Sequence, residues 1–344
     1  MSRPSLRPLE RISTQTLLGI RFWDRLIEQP IAQGLQVMAQ RVDGPTPTRR
    51  LGKPVLGRIT PSGTVAFFGL SALERLPAGS ETLDLSTLEP QYAAIDLVDL
   101  RGRYLPMSFV VQIPWPGPFL GELQPEDDAS SSAAAEEDAA EDKKSWLTTP
   151  LLRPDFTKKE PLTDSDEKER SPGVYLWSAP TRIVPPGTTT IRAQLVLGAG
   201  DDPPPAAHAL VEVVQSGDSM PPDFNYFGLA DERGSLLLPL PYPPINNDFK
   251  LPPLATQTFN LTLRVYYDPA RQQTLPGSAV PRLTTLLGQD QAASATSIGT
   301  HFDGAGLQTA DSLAVALPFD QPLVLRTGLG SLETKTQESV LRLV

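Results

Sequence analysis

The sequence predicts an all-β protein of two β-sandwich domains joined by a disordered acidic linker. Three observations predict it. Apolar and polar residues alternate at period two in many short segments, the pattern of half-buried strands. Proline is abundant, at 37 of 344 residues, and excludes long helices because it lacks the N–H and clashes with the preceding turn. One turn-and-strand template occurs twice, as "ITPSGTVAF" at 59–67 and "ADERGSLLL" at 230–238.

The first sandwich is expected over 17–120, after an N-terminal arm at 1–16. Within 17–42, Ile20 and Phe22 lead into a turn around "EQP", and Leu35, Val37 and Ala39 alternate beyond it. A Pro/Gly-rich loop then precedes the template at 59–67. In "QYAAIDLVDLRGRYLPMSFVVQI", Ile95 and Leu97 stand before a "DLRG" turn, and Phe109, Val111 and Ile113 alternate after it. In the turns, Asp or Thr bonds the backbone two residues on, and Gly63, Gly102 and Gly234 supply the positive φ.

Residues 121–171 break the pattern and read as a flexible linker. Ser/Ala-rich acidic text followed by Lys/Glu-rich text has too little apolar surface to offset its ordering entropy. A second sandwich follows at 172–335, with a C-terminal tail at 336–344. Order resumes at Val174–Trp177, and Ile191, Ala193, Leu195 and Leu197 alternate. Pro205 stands five residues before Leu210, as Pro30 stands five before Leu35. Phe259, Leu261, Leu263, Val265 and Tyr267 share a strand face, and "VPRLTTLLGQ" reads as one short helix. Leu313–Leu317 and Leu323–Arg326 supply two final strands.

Charge and composition exclude several function classes. The net charge is −10, but residues 125–142 carry eight acidic residues and no basic one, leaving the rest near neutral. No basic surface exists to attract nucleic acid. No run approaches the ~18 apolar residues of a membrane span, and no signal peptide is visible. With no cysteine, there are no disulfides or thiolate sites. The expected compartment is the cytoplasm, or release from the cell without a secretion signal.

Catalytic chemistry finds few carriers. "SGDSM" at 216–220 suggests a serine nucleophile at Ser219, but no Asp-x-x-His relay precedes His301. His208 and His301 are the only histidines, and neither stands at metal-ligand spacing. Asp201–Asp202 lacks the alternating oxygen ligands of a calcium loop. Asp24, Glu28 and Asp96 are scattered rather than paired. No catalytic, metal or cofactor site is expected. In "VVQIPWPGPFL", Trp115 and Phe119 stand among three prolines. They suit either a partner-docking or sugar-stacking patch, or a cover for an open sandwich edge.

The paired phrases "QPIAQGLQV" with "ITPSGTVAFFGL", and "PPAAHALVEV" with "LADERGSLLLPLP", resemble carboxypeptidase-regulatory-like domains. These are small prealbumin-type (immunoglobulin-like) sandwiches, and the resemblance implies a spacer or docking module without catalytic residues. A longer series covers most of the chain: "VDLRGRYLPMSFVVQIPWPG", "YLWSAPTRIVPPGTTTIRAQL", "GLADERGSLLLPLPYP", "LPGSAVPRLTTLLGQ" and "LPFDQPLVLRTG". It resembles an accessory structural protein encoded beside bacterial phage-tail-like contractile injection systems. That resemblance implies a non-enzymatic subunit at the cap or baseplate, within a symmetric multi-subunit assembly, with sheath, tube, cap or baseplate proteins as partners. The alternative is a soluble ligand- or carbohydrate-binding β-sandwich protein that uses the Trp115 patch.

Overall fold

The computed structural model describes residues 18–27, 29–70, 91–113, 173–215, 225–241, 258–291, 295–303, 306–319, 321–327 and 339–344. The expected arm at 1–16, the linker at 121–171, Ser219, and Trp115 and Phe119 lie outside them.

Period-two patterning becomes strands as expected. In chain order the first are β1 (Gly19–Asp24), β2 (Gln29–Pro30), β3 (Leu35–Val42), β4 (Arg50–Leu56), β5 (Arg58–Ile59), β6 (Thr64–Ala66), β7 (Gln91–Asp99), β8 (Met107–Ile113) and β9 (Val174–Leu176). They form two sheets, β2-β1-β6-β5 with β9 parallel to β1, and β4-β3-β7-β8. Ile20 and Phe22 from one sheet meet Val37, Ile95 and Phe109 from the other in a single buried core.

The remaining elements are β10 (Thr188–Leu197), β11 (Leu210–Gln215), β12 (Asn225–Leu229), β13 (Ser235–Pro241), β14 (Thr258–Tyr266), the helix α1 (Leu283–Leu287), β15 (Ile298–Asp303), β16 (Gly306–Ala310), β17 (Leu313–Pro318), β18 (Leu323–Leu325) and β19 (Leu341–Leu343). They build a second sandwich from sheets β13-β10-β19-β15-β16, with β18 beside β10, and β12-β11-β14-β17. Its core gathers Ile191, Leu195, Val211, Leu238, Leu263 and Leu341. The protein is thus all-β, with α1 the only α-helix among the described residues.

The second sandwich repeats the central strand pairings of the first. β1 runs antiparallel to β6 as β10 does to β13, with Ile20↔Val65 matching Ala193↔Leu236. β3 lies between β4 and β7 as β11 lies between β12 and β14, and β8 extends β7 as β17 extends β14. Trp23↔Pro30 recurs as Val196↔Pro205. The ladder Phe22↔Val174, Trp23↔Tyr175, Asp24↔Leu176 recurs as Leu195↔Leu341, Val196↔Arg342, Leu197↔Leu343.

The template turns are also alike. The Gly63 N–H donates to Thr60 O and the Gly234 N–H to Asp231 O, both at 3.0 Å. The Thr64 amide reaches Thr60 Oγ1 at 3.1 Å, and the Ser235 amide reaches Asp231 Oδ1 at 2.8 Å. The turn at "DLRG" is a third member: Gly102 N–H donates to Asp99 O, and the Arg103 amide to Asp99 Oδ2 at 2.7 Å. Gly63, Gly102 and Gly234 have φ of 77°, 65° and 75°, where a side chain is strained.

Four differences from the sequence expectations have physical causes. Residues 174–179 belong to the first sandwich, not the second: β9 pairs with β1, and Val174, Leu176, Trp177 and Ala179 enter the first core. Residues 114–172 therefore connect β8 to the last strand of the same sandwich and do not separate two sandwiches. Likewise 336–344 is no tail, because β19 closes the second sandwich against β10. The loop before the template contains β4, whose Gly52 and Pro54 are tolerated on an edge strand beside a bulge. Finally, the Pro-plus-five equivalence slips by one. Leu35 faces the first core, whereas Val211 and Val213 face the second, and Leu210 points outward.

That slip helps join the two sandwiches. Leu210, Phe227 and Leu229 leave the second core and pack with the first, together with Leu283, Leu286 and Leu287 of α1. Residue 282, just before α1, bridges to Ser108 on β8.

Candidate docking surfaces and the buried polar network

The strongest polar constellation lies at the junction of the sandwiches. Asp24 ends β1 with a carboxylate only 2% exposed, and the Arg182 guanidinium, 6% exposed, pairs with it. Tyr104 OH donates to Asp24 Oδ2 at 2.7 Å, and the Leu26 amide donates to Oδ1 at 3.0 Å. Arg182 also donates to Ser178 Oγ at 2.8 Å. The guanidinium carbons of Arg103 and Arg182 each lie 5.1 Å from the Tyr104 ring centroid, so two cations engage one ring. Burial, then the hydrogen bond to Asp24, pushes the Tyr104 hydroxyl above its ordinary range. The carboxylate accepts from three donors, which suits anchoring rather than proton transfer.

Beside it, Asp99 binds Arg103 through Nε at 3.0 Å and Nη2 at 3.1 Å. Burial alone would raise the Asp99 carboxyl. Hydrogen bonds from the Arg103 side chain and from the Arg103 and Arg101 amides outweigh that and hold it below the ordinary range. A depressed folded-state pKa adds stability that is complete above the unfolded value of 3.8 and is lost as pH falls below it. The Tm should therefore drop on acidification below about pH 4, and Asp99→Asn should flatten that part of the curve. Thermal melts across the acid range measure both effects; an acid slope unchanged in the variant would contradict the assignment.

The residues weighed for chemistry are dispersed. His208 occupies a left-handed turn at φ 59°, its N–H bonded to Asp231 O and its C=O accepting from Gln289 Nε2 at 2.9 Å. Burial pushes its imidazole pKa down. His301 is exposed on the β15–β16 hairpin, and Asp201 and Asp202 are exposed in a loop. Asp96 pairs with Arg50 and accepts from Ser108 Oγ at 2.9 Å. Among the described residues, no three His, Asp or Glu side chains converge as a metal site. No helix among them is long and apolar enough to cross a membrane.

A surface absent from the sequence expectations emerges on the outer face of β4-β3-β7-β8. One end of that face is sealed by the chain itself: Leu275 covers Val42, Ala94 and Val110, and Arg50 Nε donates to Pro276 O. The other end is open. Met38, Leu56, Val98 and Leu100 are 36, 59, 46 and 70% exposed, with Met38 directly opposite Leu56. The signal was available in the sequence, because Met38 and Val98 are apolar residues at solvent-facing positions of their strands.

No family model matches the chain, and no curated protein matches it. A structural match is to a minor pilin of the Gram-positive pathogen Streptococcus agalactiae, at 9% identity over 87% of this chain and 83% of the pilin, with a TM-score of 0.18. At that score the likeness carries no argument about function.

Proposed function

We propose that the protein is a non-enzymatic structural subunit of a phage-tail-like contractile injection particle, at its cap or baseplate end. The observation that carries the docking role is the group of exposed apolar residues Met38, Leu56, Val98 and Leu100, interleaved with Gln36 and Asp96, on a sheet whose other end the chain covers itself. Exposed apolar surface of this kind marks contact sites. The buried carboxylates Asp24, Asp99 and Glu212 are paired internally with Arg182, Arg103 and Arg264, which suits a rigid connector. The particle assignment rests on the sequence resemblance given above.

The protein should co-purify with sheath–tube particles, and its deletion should leave particles with a missing or unstable terminus. Met38→Ser with Val98→Thr, and separately Trp115→Ala with Phe119→Ala, should reduce incorporation without lowering Tm appreciably. Mass spectrometry of purified particles reads the outcome. Intact particles that lack the chain and assemble normally without it would overturn the reading.

A further inference from the structure

We infer that the first sandwich is completed by strand donation, and that the donor can be a second copy of this chain. Residues 173–344 of one copy then complete residues 18–113 of the other, and reciprocally.

The seat is built in detail. β9 lies parallel to β1 along Phe22↔Val174, Trp23↔Tyr175 and Asp24↔Leu176. The chain then runs against the β7–β8 turn. The Leu105 N–H donates to Trp177 O at 2.8 Å, the Ala179 N–H to Arg103 O at 2.9 Å, and Tyr104 bridges to Ser178. Residues 174–179 thus lie between two elements of the first sandwich and bury four apolar side chains there. The fit is tight: a Cβ on Gly173 would stand 2.2 Å from Trp23 Cδ1 and 2.5 Å from Arg21 O. Arg182, five residues on from Trp177, fastens the same segment to Asp24.

All of these contacts are non-covalent and run between residues 18–113 and residues 173–344. The covalent connection is residues 114–172, which span roughly 200 Å when fully extended. Connectivity over that length does not decide which copy supplies β9. An exchanged pair keeps every contact of the single chain, so it loses only the advantage of intramolecular closure. That advantage corresponds to an effective concentration in the millimolar range, and exchange therefore grows with protein concentration. Reciprocal donation satisfies both seats and closes as a dimer. The inference is independent of the particle reading, since strand donation concerns only this chain.

The test uses the full chain with a protease recognition sequence placed within residues 125–142. After folding and cutting, the two pieces should elute together as one body with the 37.3 kDa mass of the uncut chain. Gly173→Leu should weaken the association of the cut pieces by about tenfold or more, a loss of roughly 1.4 kcal/mol or more. Next, a copy with an N-terminal tag and a copy with a C-terminal tag are denatured together and refolded over a concentration series. Doubly tagged dimers should increase with concentration. On cutting they should fall to single-chain-sized bodies in which one copy's N-terminal piece retains the other's C-terminal piece. The inference is overturned if the cut pieces separate, if the Gly173→Leu pieces hold as tightly as the parent's, or if no doubly tagged dimer forms at any concentration.

Discussion

Replacing Asp24 by alanine should cost about 3–5 kcal/mol of stability, because it leaves the buried Arg182 guanidinium without its counter-charge. The Tyr104 hydroxyl and the Leu26 amide lose their acceptor in the same step, and the buried Tyr104 hydroxyl left without a partner adds to the cost. The cost belongs to the orphaned partner rather than to the pair. Asp24→Leu combined with Arg182→Met should therefore recover most of the loss, since apolar replacements of a buried pair are often neutral. Urea denaturation of the single and double variants measures both numbers. A single variant within about 1 kcal/mol of the parent would mean that Arg182 finds solvent and that the junction is wet.

Valine at Gly234 should destabilise far more than valine at Gly63, although the two turns share one hydrogen-bond pattern. Both glycines sit at positive φ, and for a β-branched residue that conformation alone costs about 1–2 kcal/mol. At Gly63 the added Cβ meets only Pro30 Cβ, at 3.9 Å. At Gly234 it would stand 2.3 Å from Leu195 O and 3.2 Å from the Ala206 amide nitrogen. Those atoms are backbone, and they bond to each other at 3.0 Å and hold the β10 bridge to Pro205. Relieving the overlap breaks that pairing, so a loss of about 3 kcal/mol or more is expected, against about 1–2 for Gly63→Val. Chemical denaturation of the two variants side by side decides it, and equal losses would show that the second turn yields without disturbing β10.

Much of this fold is legible in the sequence where a strand has one wet face. β3, β7, β10 and β14 announce themselves through alternation, and the D/T-x-x-G turns through the chemistry of Asp, Thr and Gly. β9 and β19 do not. Each is three residues long and buried throughout, too short for "VYL" or "LRL" to establish a period, and their partners lie far away in sequence. β12 and the β15–β16 hairpin escape because "NYFGL", "IGTHFD" and "GLQTA" do not alternate apolar and polar residues. The sequence domain boundary failed at 172 because composition changes there, while the sandwich ends only after β9. The Asp24–Arg182 pair was equally hidden. A residue at 24 and a residue at 182 meet only once β9 has brought them together. Gly234 is the opposite case, since its need for positive φ was visible, but the crowding by Leu195 was not.

The late position of β9 sets a schedule for synthesis. A ribosome that has just completed β8 has made every described strand of the first sandwich but one, and Phe22 and Trp23 still lack their neighbour. The remaining residues to Arg182 take roughly 3–14 s at about 5–20 residues per second. During that interval the nascent chain displays an unfilled apolar seat beside β1. Chaperones have access to it for as long as the seat is empty, and neighbouring nascent chains on the same message are held close enough to compete for it.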